Sequence, residues 1–82
     1  AHVLLAEDNP VNALLARTHL TQMGCTVERA STGEEAAAAG LTGVHDLILM
    51  DLRMPGLDGL EATRRLRSAG VSTPVVALTA NA

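Results

Sequence analysis

The sequence predicts an α/β domain built on an open parallel sheet, and three observations carry that prediction. Stretches of strand length recur four times, three of them apolar runs and one half-polar, segments with helix-start and helix-stop chemistry separate them, and the order is strand, helix, strand, helix, strand, helix, strand. Strict alternation of this kind favours parallel strands joined by right-handed crossovers. With 82 residues, the chain is expected to form one domain over residues 1–82.

The first strand is the apolar run Val3, Leu4, Leu5, Ala6, which ends abruptly in Glu7, Asp8, Asn9 and Pro10. Asn9 suits an N-cap, and Pro10 suits the first helical turn, where its missing N–H is not needed. Gly24 can close that helix, and Leu15, Ala16, His19, Leu20 and Met23 form its expected inward stripe. Val11 and Leu14 fall off the stripe and are expected at the surface. Residues 25–30 read as a half-polar strand, after which Ser31 and Glu34 have the spacing of a capping box for an alanine-rich second helix. Residues 46–51 place four large aliphatic side chains in succession, as in a strand buried on both faces, so this strand should be central. Turn signals at Pro55, Gly56, Asp58 and Gly59 lead into a third helix, with Leu60, Thr63 and Leu66 inward and Arg64 and Arg65 outward. Residues 74–79 supply the fourth strand.

Composition narrows the function. The chain is 48% hydrophobic with no aromatic residue, so the core must be aliphatic and no base-stacking platform exists. All six basic residues are arginines and the net charge is -3, which disfavours direct nucleic-acid contact. No apolar run is long enough to span a bilayer, and the single Cys25 reads as a small structural side chain. A cytoplasmic setting is expected. His2, His19 and His45 are far apart in sequence and share no ligand spacing, which argues against a zinc site.

In open parallel sheets, ligands bind beyond the carboxyl ends of the strands, near the point where winding reverses. Here the first strand ends in Glu7 and Asp8, the third in Asp51 and the fourth in Thr79. If the first and third strands are neighbours, three carboxylates converge, and a hard divalent cation with oxygen ligands is needed to keep them ionised. Mg2+ (or Mn2+) fits, because it needs few protein ligands and retains waters that a phosphate can replace. Each residue also has a plainer role: Asp51 as a turn cap, Glu7 and Asp8 as acids at a helix start, Thr79 as a β-branched strand residue.

Taken in order and spacing, Glu7 and Asp8, the segment LMDLRMPGLDG at 49–59 and the segment ALTA at 77–80 resemble the motifs of response-regulator receiver domains of two-component signalling. EDNPVN at 7–12 and ALTANA at 77–82 are most similar to receivers attached to hybrid sensor histidine kinases. The resemblance covers essentially the whole chain. It implies a flavodoxin-like open sheet of strand order 2-1-3-4. It makes Asp51 the phosphoacceptor, Glu7, Asp8 and Asp51 the metal acids, and Arg53 a metal ligand through its backbone carbonyl. Thr79 would hydrogen-bond a phosphoryl oxygen, beside a small Ala80. The implied partner is a histidine kinase or histidine phosphotransfer domain, docking on the first helix at Val11 and Leu14. Such a domain catalyses its own aspartyl phosphorylation and dephosphorylation rather than turning over as a conventional enzyme.

The family pattern includes a lysine at the end of a fifth strand, and this sequence contains no lysine and ends after the fourth. The sequence therefore reads as a fragment of a longer receiver, lacking the fifth strand and last helices, and an isolated 82-residue chain is expected to be marginal, self-associating or partly molten. A non-phosphorylatable receiver-like interaction module is the main competing function. A phosphohydrolase with an aspartyl-phosphate intermediate is disfavoured, because such enzymes place a second aspartate two positions after the first, where this chain has Arg53.

Overall fold

The computed structural model describes residues 1–54 and 56–78. Its elements run β1 (His2–Ala6), α1 (Pro10–Gln22), β2 (Thr26–Ala30), α2 (Gly33–Gly40), β3 (Leu47–Asp51), α3 (Gly59–Ser68) and β4 (Val75–Leu78). All pairings are parallel, and the sheet order is β2-β1-β3-β4. The chain steps from β1 to β2 on one side, then crosses to β3 on the other, so winding reverses between β1 and β3.

Those two inner strands are apolar because both of their faces are covered. Val3, Leu4, Leu5 and Ala6 are all buried, and their pairing sets Leu4 beside Ile48 and Ala6 beside Met50. Side chains alternate across a strand. Leu4, Ala6, Ile48 and Met50 therefore share one face, where they pack against Ala36 and Ala37 of α2 and Ala62 and Leu66 of α3. Val3 and Leu5 point to the opposite face, beneath α1. The core is made of aliphatic and sulfur side chains throughout, as an aromatic-free composition requires.

The helix starts are built from side-chain caps. Asn9 Oδ1 accepts from the backbone N–H groups of Val11 and Asn12, at 2.9 and 3.2 Å. Asp58 Oδ1 accepts from Glu61 N–H at 2.9 Å. The capping box of α2 lies one residue later than the sequence suggested: Thr32 Oγ1 accepts from Glu35 N–H, and Glu35 Oε1 accepts from Ser31 N–H at 2.7 Å. Ser31 and Thr32 are chemically interchangeable as caps, each with a glutamate three positions on, so spacing alone could not separate them. At the other end of α1, Gly24 adopts φ +88°, the left-handed conformation that ends a helix with least strain in glycine.

Two inward stripes also differ from expectation. In α1 the buried residues are Ala13 and Leu20, while Leu15 and Met23 are exposed. In α3 they are Gly59, Ala62 and Leu66, while Leu60 is exposed. In both helices a small residue faces the sheet beside a single buried leucine and lets the helix approach closely. Among the described residues, no helix is long and apolar enough to cross a membrane.

Candidate functional site

The acidic site lies where β1 and β3 end side by side. Beyond β1 the ladder continues for one further bond, from Glu7 N–H to the Ala30 carbonyl at 3.0 Å. The turn that follows is clamped by Arg29 of β2, whose guanidinium donates to the carbonyls of Glu7 and Asp8 at 3.1 to 3.2 Å. Arg29 was not singled out in the sequence, where it is one polar residue in an alternating strand. Asp51 is the last residue of β3, and its Oδ1 accepts from Arg53 N–H at 3.0 Å, which fixes the carboxylate's orientation.

The result is convergence of the three predicted acids. Glu7, Asp8 and Asp51 each offer a carboxylate oxygen, and these oxygens lie within 4.8 Å of one another. The ion pairs among the described residues are His45 with Glu28 and Arg64 with Glu61, so neither neutralises the cluster. Glu7 is 7% exposed. Its carboxyl is pushed up to about 7 from an ordinary value of 4.5, chiefly by burial and then by the neighbouring Asp51 carboxylate, while Asn9 N–H, donating to Oε2 at 3.1 Å, opposes the rise. An uncompensated, partly buried set of oxygen donors is chemistry suited to a hard divalent cation. Arg53 is exposed beside the cluster, and Thr79 lies outside the described residues.

A carboxyl whose value is raised in the folded state favours folding while it holds its proton, and this contribution is lost as pH rises through the folded-state value. The metal-free protein should therefore lose thermal stability between the ordinary glutamate range and just above pH 7. Glu7→Gln should flatten that part of the profile. Parallel melting curves in chelator from pH 5 to 8 check this, and an unchanged slope in the variant would exclude Glu7 as its source.

Val11 and Leu14 are exposed on α1, at 65% and 64%. One proximity is not visible in the sequence. His2 and His45 are not isolated: their rings stack with centroids 4.8 Å apart, and His45 Nε2 lies 2.7 Å from Glu28 Oε1. Pairing of Val3 with Leu47 brings His2 and His45, 43 positions apart, into contact, a proximity that ligand spacing along the chain cannot reveal.

Comparison with known proteins agrees with this architecture. The family model for the response regulator receiver domain matches residues 3–82. The sensor protein EvgS of Escherichia coli K12 is 40% identical over 80 residues, covering 98% of this chain and 7% of EvgS. A crystal structure of full-length ShkA in complex with AMPPNP superposes with a TM-score of 0.93 at 67% identity, over 99% of this chain and 18% of that one. The receiver domain of sensor histidine kinase PA1611 from Pseudomonas aeruginosa PAO1, solved with magnesium coordinated in its active-site cleft, gives a TM-score of 0.91 at 41% identity. That alignment covers 98% of this chain and 67% of the other. The chain thus spans a small part of the full-length kinases it matches.

Proposed function

The chain belongs to the response regulator receiver domain family of two-component signalling, and from that premise we propose that Asp51 accepts a phosphoryl group from a partner phosphohistidine in a Mg2+- or Mn2+-dependent reaction. The observation that carries this reading is the meeting of Glu7, Asp8 and Asp51 from the two inner strands, with no neutralising ion pair among the described residues. In the reaction, an Asp51 carboxylate oxygen forms a bond to phosphorus as the bond from phosphorus to the donor imidazole breaks, and the imidazole leaves with its nitrogen lone pair. Positioning and charge compensation supply most of the catalysis in phosphoryl transfer. Glu7, Asp8, Asp51 and the Arg53 carbonyl would hold the cation, which when bound offsets charge on the phosphoryl oxygens. The Arg53 N–H orients Asp51, and Arg29 holds the turn bearing the other two acids. Thr79 is assigned the hydrogen bond to a phosphoryl oxygen.

The test is uptake of labelled phosphoryl groups from a phosphohistidine protein or a small acyl phosphate, with MgCl2 and with chelator. Label that appears only with the cation is expected. Undiminished label in chelator would overturn the cation's role, and absence of label from every donor would favour an interaction module that takes no phosphoryl group.

The partner, a histidine kinase or phosphotransfer domain, is placed on α1. Val11 and Leu14 project there, and Leu14 borders a groove lined by Leu5, Pro10, Ala13, Arg17 and Arg29. This supports an apolar contact next to the phosphoacceptor cleft. Leu14→Glu should slow transfer from a phosphohistidine protein by about tenfold, equivalent to about 1.4 kcal/mol of lost contact. Affinity for Mg2+ should not change. Equal transfer rates in rapid-quench assays would remove α1 from the docking surface.

A further inference from the structure

A second group of ligand-type side chains lies on the α2 face of the sheet, near the opposite ends of the strands. His2 starts β1, Glu28 lies in β2, and His45 precedes β3 in the connection from α2. Pairing of His2 with Thr26 and Leu4 with Glu28 puts His2 and Glu28 on one face. His45 is 5% exposed, and its Nε2 meets Glu28 Oε1 at 2.7 Å. Its other nitrogen, Nδ1, is buried with no hydrogen-bond partner among the described residues. Buried polar atoms are ordinarily paired. This ring therefore retains unused bonding capacity.

We propose that His2, Glu28 and His45 form a binding site for a borderline divalent transition ion such as Zn2+, separate from the carboxylate cleft. Each residue offers one ligand atom, and the three atoms lie within 4.8 Å of one another. Around a tetrahedral ion with bonds of about 2.1 Å, donors sit about 3.4 Å apart, so the widest pair must close by up to about 1.4 Å, His45 Nε2 and Glu28 Oε1 must part from 2.7 Å, and the stacked rings must turn toward the ion. The two outer partners can supply that movement: Glu28 keeps 49% of its side chain exposed, and His2 is half-buried.

The surroundings of His2 suit it to this role. His2 N–H donates to Asp46 Oδ2 at 2.7 Å, and Asp46 N–H donates to the His2 carbonyl at 2.7 Å. His2 Nδ1 lies 2.9 Å from Thr26 Oγ1, leaving Nε2 as the nitrogen open to an ion. A hydrogen bond at the second ring nitrogen is the usual way a ligating histidine is oriented. Two imidazoles and one carboxylate select for Zn2+, Cu2+, Ni2+ or Co2+ over Mg2+, whose preference is for oxygen. When an ion takes His45 Nε2 in place of the proton shared with Glu28, the neutral ring carries its single proton on Nδ1, the nitrogen that has no partner among the described residues. His2 and Glu7 are five residue steps apart along the line of β1, so roughly 16 Å divides the two sites.

The experiment titrates the protein with ZnCl2 in excess MgCl2, which occupies the carboxylate cleft, and follows the imidazole nitrogens by long-range proton–nitrogen NMR. His2 and His45 signals should shift together and saturate at one equivalent, with His19 on exposed α1 as the internal reference. His2→Gln, a change at a half-buried position, should raise the Zn2+ dissociation constant about tenfold or more. The proposal is overturned if His19 shifts along with the other two, if neither His2 nor His45 responds, or if His2→Gln leaves the constant unchanged.

Discussion

Asp51→Asn is expected to reduce phosphoryl uptake to the assay background while raising the stability of the metal-free protein at neutral and alkaline pH. Both effects arise from one exchange of oxygen for NH2 at constant size. An amide lacks the anionic oxygen that attacks phosphorus, so no acyl phosphate forms. The same change removes the negative charge that helps hold the Glu7 carboxyl near 7. Glu7 should then ionise closer to the ordinary glutamate range, and the fold should lose less stability between pH 5 and 8. Labelling assays read the first effect and melting curves in chelator the second. Full labelling of the variant would remove Asp51 from its role. Lost labelling with an unchanged pH profile would keep the phosphoacceptor and discard the electrostatic coupling to Glu7.

Gly59→Ala is expected to lower stability and to disturb the acidic cluster at the same time. Gly59 opens α3 and is buried against the end of β3. A Cβ there would overlap the Asp51 carbonyl oxygen, and it would also come within 2.9 Å of Met50 Cγ and 3.0 Å of Leu52 Cα. Two of these neighbours are backbone, so a side-chain rotation cannot relieve the crowding. Overpacking of this kind costs about 1–3 kcal/mol, a large share of the stability of a small domain. Because the displaced atoms belong to Asp51 and its successor, Mg2+ affinity should fall as well. Denaturant titration and calorimetric Mg2+ binding check the pair. Wild-type stability in the variant would show that α3 can shift away from the strand without cost.

What was legible in the sequence followed from patterns that a short window contains. Three apolar runs and one half-polar stretch, the Asn9 and Pro10 helix start and the strand-end acids all depend on neighbours within a few residues, and the structure has the sheet and the acid cluster where those patterns put them. The helix faces were harder. Leucines occupy several sides of α1, so the apolar pattern does not fix which side turns inward, and the sheet selects Ala13 and Leu20. In α3 the close approach depends on Gly59 and Ala62, residues that a search for large apolar side chains passes over. Contacts set by strand register were not legible at all. The stacking of His2 on His45 and the hold of Arg29 on the Glu7 turn exist only once β1 has β2 and β3 as neighbours.

The acids of the cleft stand at the ends of the two inner strands, whose residues pair from Val3 with Leu47 through Ala6 with Met50. Prising Glu7 away from Asp51 would mean unzipping the middle of the sheet, an opening that approaches global unfolding in free energy. The gap between these carboxylates is thus a fixed gauge and not a hinge, as durable as the molecule's own interior.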